Sequence, residues 1–146
     1  MKEYVSAKNF IKSLVLIFGL NFIWEISQMS LYNDHSNGFI DFILVHVRAS
    51  LGDVILFAII YLASASIFQD FYWFMRKQKY IYVFTLICGF ALATVIEKYA
   101  LATNRWSYND LMPIIPFFKV GLSPILQLTI LPAITILITQ KIYPKK

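Results

Sequence analysis

Three carboxyls stand inside long apolar stretches of this 146-residue chain: Glu25, Asp53 and Glu97. When their surroundings tune them, carboxyls are the side chains that give, take and hold protons. Other polar residues fall on the same helical faces. Asn21, Glu25 and Gln28 lie at i, i+4 and i+7, as do His46, Ser50 and Asp53. Gly89, Ala93 and Glu97 form a third line, and Ser123 and Gln127 lie one turn apart. An ionised Asp, Lys or Arg at the centre of a membrane helix costs about 2.5–3.5 kcal/mol. Glu25, Arg48, Asp53 and Glu97 are therefore expected to face one another or a water-filled cavity. The simplest pairing joins Arg48 to an acid of another helix. A carboxyl without such a partner can carry a proton.

The elements that must position these groups follow from composition. Apolar residues make up 59% of the chain and charged residues only 14%, against about 25% charged in soluble domains. Mean hydropathy is +0.65. A disordered chain and a disulfide scaffold are excluded, the second because Cys88 is the single cysteine. A soluble domain of this length could not hide so much apolar surface. The sequence predicts an all-α polytopic membrane protein: four transmembrane helices in one antiparallel bundle, forming a single domain over residues 1–146. A span needs roughly 20 mainly apolar residues, and the gaps between charges place spans at about 11–32, 42–69, 80–101 and 120–140. None of these runs alternates as a membrane β-strand would. Outer loops are expected at 33–41, turn-rich over Asn33 to Gly38, and at 102–119, an ordered loop or short re-entrant piece. Residues 70–79 form the cytoplasmic loop.

Basic residues set the orientation. Lys2, Lys8, Lys12, Arg76, Lys77, Lys79, Lys141, Lys145 and Lys146 all fall on one side, nine of the 13 in the chain. The positive-inside rule makes that side, with both termini, cytoplasmic. The N-terminal stretch has no small-x-small cleavage site and is expected to be retained. With this topology all four helices bring polar groups to one layer in the outer half, and the inner halves are expected to be nearly plain.

The motifs present narrow the chemistry further. The chain has no Walker loop, GxGxxG or HExxH. His35 and His46 alone do not suggest a zinc or haem site, so neither metal nor cofactor is expected. Topology accounts for the basic segments without nucleic acid. Lys98 is expected to snorkel to the outer interface. Trp24, Tyr61 and Trp73 read as packing or interfacial aromatics. Any single polar residue here is more often interhelical glue than a site, and the shared depth is what favours a pocket.

Three phrases carry a resemblance: Asn21 to Met29 (NFIWEISQM), Ala49 to Asp53 (ASLGD), and Asn104 to Tyr108 (NRWSY) continuing through Met112-Pro113 to Gly121-Leu122-Ser123-Pro124-Ile125-Leu126-Gln127. They resemble a family of small uncharacterised bacterial four-span membrane proteins, a resemblance that names no activity. A weaker one is to the heterodimeric-type lycopene cyclase subunits, which have a Trp-x-Tyr-like loop and a Pro-x-Glu-Glu-like helix start. This chain reads Pro124-Ile125-Leu126-Gln127 there and lacks those acids.

The expected function is an outer-half pocket that binds a lipophilic small molecule or acts on it by acid–base chemistry. Glu25, Asp53 and Glu97 are the candidate catalytic groups. Asn21, Trp24, Gln28, His46, Arg48, Arg105, Trp106, Tyr108 and Gln127 are candidate binding residues, with Trp106 and Tyr108 as an outer lid. The alternative is an accessory or assembly subunit of a larger membrane complex, and the third reading is ion- or proton-coupled transport as an oligomer. Expected partners are membrane lipid, a lipophilic ligand, and a second copy or a partner membrane subunit. The expected location is the bacterial inner membrane.

Overall fold

The computed structural model describes residues 2–33 and 38–143, with side chains from residue 7 onward. The turn-rich cluster at 34–37, including His35, and the basic residues Lys145 and Lys146 lie outside the described residues, as does the side chain of Lys2. Four helices dominate: α1 (Lys2–Gln28), α2 (Phe39–Phe68), α3 (Lys79–Ala102) and α4 (Leu122–Ile142). Each is long and apolar enough to cross a membrane, so the chain is a multi-pass membrane protein with an all-α bundle. The helices α1, α2 and α3 run past the expected span ends. A helix satisfies its own backbone as it enters the polar interface, so a charge at its end does not terminate it.

Neighbouring helices run antiparallel. Toward the end of the bundle that carries the α2–α3 connection, the Phe10 ring of α1 stacks on Tyr61 of α2, with centroids 4.0 Å apart. At the same level Lys12 of α1 lies over the Tyr143 ring just beyond α4. The closest approach is between α3 and α4. A Cβ added at Gly89 would fall 2.3 Å from the Leu128 carbonyl oxygen, so only glycine lets the two backbones meet. Pro132 lies inside α4. It has no N–H to give the carbonyl four residues earlier, and that carbonyl belongs to Leu128, the group lying against Gly89.

The inner half is filled. Ile17, Phe57 and Leu131 form one buried cluster. Trp73, Phe74 and Met75 join Tyr61, Ala65, Ile81 and Ile136 in another. The α2–α3 connection is therefore a plug tucked into the end of the bundle, and Trp73 and Tyr61 are core residues in place of an interfacial belt. Its backbone polar groups need partners at that depth. Gln140 donates from Nε2 to the carbonyls of Phe74 at 2.6 Å and Arg76 at 3.1 Å, and it accepts from Tyr82 Oη at 2.5 Å. Trp73 Nε1 donates to the Tyr61 carbonyl at 3.2 Å. The nearly plain stretch expected on α4 ends at Ile138, and Gln140 lies just beyond it, where the buried carbonyls of the connection need a donor.

Between α3 and α4, residues 102–121 carry a short antiparallel pair, β1 (Ile114–Ile115) with β2 (Val120–Gly121), in register Ile114 with Gly121. This ordered segment is stitched to the outer end of α1. Asn33 Nδ2 donates to Ser107 Oγ at 2.8 Å and to the Tyr108 carbonyl at 3.0 Å. Asn109 Nδ2 donates to the Ser30 carbonyl at 2.6 Å.

Candidate functional site

The bundle is closed by α1 and α4 but not between α2 and α3. These two touch at the end where residues 69–78 connect them, and there the Phe68 ring meets Tyr80 and Phe84 at 5.7 and 5.0 Å. Further out, a cavity of about 980 Å³ reaches from one to the other. That volume is near the upper end of ordinary ligand sites, about 300–1,000 Å³. Leu56, Ala93 and Leu128 line it and also belong to the apolar packing beneath, so they form its floor. Ala49 and Gly52 keep the α2 wall hollow, and a Cβ added at Gly52 would meet nothing within 4 Å.

Gln127 organises the polar side. From α4 its Nε2 lies 3.0 Å from Asn21 Oδ1, 2.8 Å from Glu25 Oε1 and 2.9 Å from Asp53 Oδ2. Its Oε1 accepts from Gln28 Nε2 at 2.8 Å. One amide nitrogen carries two hydrogens, so three acceptors share them. One acceptor can turn to an incoming donor without stranding an N–H. The two carboxyl oxygens on that nitrogen stand less than two hydrogen-bond lengths apart. Gln28 is fixed in turn. Its Nε2 also reaches Glu25 Oε1 at 3.1 Å, and its Oε1 accepts from Ser123 Oγ at 2.7 Å and Trp24 Nε1 at 3.2 Å.

Glu97 is held separately. Its Oε2 accepts from the Tyr108 hydroxyl and from Trp106 Nε1 at 3.3 Å. Tyr108 Oη in turn accepts from the Gly121 N–H at 3.0 Å. Burial pushes the Tyr108 phenol well above its usual pKa, and the bond to Glu97 adds to this. The phenol therefore stays a donor at neutral pH. Each of the three carboxyls thus commits one oxygen to its mounting. Glu25 Oε2, Asp53 Oδ1 and Glu97 Oε1 make no hydrogen bond among the described residues. His46 repeats the arrangement: Nδ1 lies 2.7 Å from the Phe42 carbonyl and must donate to it. Nε2 makes no hydrogen bond with a described residue, on a side chain only 9% exposed.

The cavity is lined by Glu25, Gln28, His46, Arg48, Asp53, Glu97, Arg105, Trp106 and Gln127. The other sequence candidates stand behind this lining: Asn21 under Gln127, Trp24 beside Gln28, and Tyr108 behind Glu97. Tyr108 therefore braces an acid where a lid was expected. Arg48 departs further from expectation. It is exposed and forms no ion pair with Glu25, Asp53 or Glu97, because the amides of Gln28 and Gln127 and the ring donors of Tyr108 and Trp106 already hold those acids. The ion pair among the described residues is Arg76 with Asp70, within the α2–α3 connection. Lys98 is exposed, with Nζ 5.9 Å from the Phe118 ring centre. Sequence reasoning passed over Tyr32, Asn33 and Asn109, which also line the cavity. The paired asparagines flanking the two outer loops were the available signal. Among the described residues no group of three His, Cys, Asp or Glu could hold a metal ion.

No known protein family, curated protein or solved structure matches the chain.

Proposed function

We propose that this is a bacterial inner-membrane protein with cytoplasmic termini whose outer-half cavity receives a lipophilic small molecule. There it hydrogen-bonds the molecule and exchanges protons with it through Glu25, Asp53 and Glu97. One observation carries the reading. Three carboxyls converge on a cavity of about 980 Å³, each mounted by one oxygen and unpaired at the other. None of these three free oxygens is a buried unpaired atom, so each is open to whatever fills the cavity. General acid–base chemistry needs an oriented carboxyl with a free oxygen toward the substrate. The apolar floor suits a hydrocarbon body, and Arg48, His46 and Arg105 supply polar contacts around it. Ion transport fits less well, because Ile17, Phe57, Leu131 and the plug at Trp73 to Met75 fill the inner half.

The test is chemical analysis of molecules retained by gently purified protein. Wild type is expected to hold one lipophilic compound near one per chain. Gly52→Phe, which places a ring on the cavity wall at a position where an added Cβ meets nothing within 4 Å, should lose it, and Glu97→Gln should hold it less or leave it unconverted. Equal retention by all three proteins, with co-eluting polypeptides instead, would replace this reading with the accessory-subunit one.

A further inference from the structure

Two cations of the cavity are unaccounted for. Arg48 projects from α2, and Arg105 follows the end of α3, so they flank the gap between those helices. Both line the cavity and both are exposed. Neither guanidinium forms an ion pair, a side-chain hydrogen bond or a cation–π contact with any described residue. Yet three carboxyls line the same cavity. A guanidinium within a span demands an anion or water. At about 1.5 Å per residue, Arg48 lies about 7.5 Å further out than Asp53, where a long side chain snorkels toward phosphate level.

The shape of the site adds a direction. The outer segment is stitched to the chain just beyond α1 by Asn33 and Asn109. The open side is the gap between α2 and α3, bordered by the apolar Val45 and Ile96. A molecule using this route leaves its chains in the bilayer and puts its head in the cavity. Inside, three carboxyl oxygens are unpaired: Glu25 Oε2, Asp53 Oδ1 and Glu97 Oε1. The complementary head carries an anion for the arginines and hydroxyl or amine hydrogens for the acceptors.

We infer that the cavity binds the head of a glycerophospholipid from the outer leaflet. Its phosphate lies at Arg48 and Arg105, its hydroxyl or amine donors reach the free carboxyl oxygens, and its acyl chains leave between α2 and α3. This rests on the reading of the cavity as a site for a lipophilic molecule and names its class. Arginine suits the role because its planar fork binds phosphate through two parallel hydrogen bonds.

Native mass spectrometry of the detergent-solubilised full chain tests this. The probes are phosphatidylglycerol, diacylglycerol with the same chains, and inorganic phosphate. Wild type should retain phosphatidylglycerol at least about tenfold better than diacylglycerol, and the double variant Arg48→Gln/Arg105→Gln should lose about tenfold or more. Both arginines are exposed, so that variant keeps its packing. Inorganic phosphate should not displace the lipid. Displacement by phosphate alone would overturn the lipid assignment in favour of a free-phosphate site. Wild-type retention by the double variant would overturn the arginine assignment. If both lipids bind equally and Gly52→Phe abolishes both, the phosphate assignment fails while the cavity reading stands. If Gly52→Phe changes nothing, both fail.

Discussion

Tyr108 fixes a carboxyl in place without any cation. Its hydroxyl accepts from the Gly121 amide and donates to Glu97, so the phenol proton points one way and orients one oxygen. Burial raises the pKa of this phenol, and it raises that of Tyr32 as well, where the negative charge of Glu97 adds to the effect. The folded protein therefore keeps two protons that the unfolded chain releases near its ordinary tyrosine value of about 10. Stability should be level below that pH and fall above it, since unfolding then releases protons. In an alkaline titration of the nine tyrosines, Tyr32 and Tyr108 should ionise above the ordinary tyrosine value, together with loss of helical signal. If all nine titrated near pH 10 with the fold intact, the Tyr108 bond would not exist as described.

Two glycines give opposite expectations within single helices. Gly89 in α3 sits against the backbone of α4, and an added methyl would overlap the Leu128 carbonyl. Gly89→Ala should destabilise the bundle by about 1–3 kcal/mol, the usual cost of overpacking. Gly52 in α2 faces open space, so Gly52→Ala should stabilise by about 0.5–1 kcal/mol through helix propensity alone. Thermal unfolding in detergent compares them, and a similar shift for both would contradict the packing described. The contact at Gly89 was legible in the sequence, because Gly89, Ala93 and Glu97 form a line only on a helix. So was the polar layer, because Glu25, Asp53 and Glu97 interrupt apolar runs that otherwise carry few charges. The separation of α2 from α3 was not legible, since periodicity gives each helix a face but not the neighbour that face meets. Neither was the burial of Trp73, Phe74 and Met75. Their insertion depends on Gln140 arriving from α4, 66 residues away from Phe74.

For the whole molecule, the bundle's polarity is asymmetric, with a packed inner half and a hollow outer half. Cysteine labelling reads its direction. With Cys88 replaced by Ala, Phe117→Cys, at a site 87% exposed beside β2, should react with an impermeant maleimide in intact cells. Lys141→Cys, at the end of α4, should react only after lysis. The reverse result would turn the cavity toward the cytoplasm. The place of Gln127 in the chain has a further consequence, for biogenesis. Asn21, Glu25 and Asp53 belong to helices that are synthesised before α4, which carries the amide that joins them. Until α4 follows, the nascent chain sits in the bilayer with two carboxyls lacking that shared donor. A chain halted before Val120 is therefore expected to accumulate less than one that includes α4, which pulse-labelling of the two chains would compare.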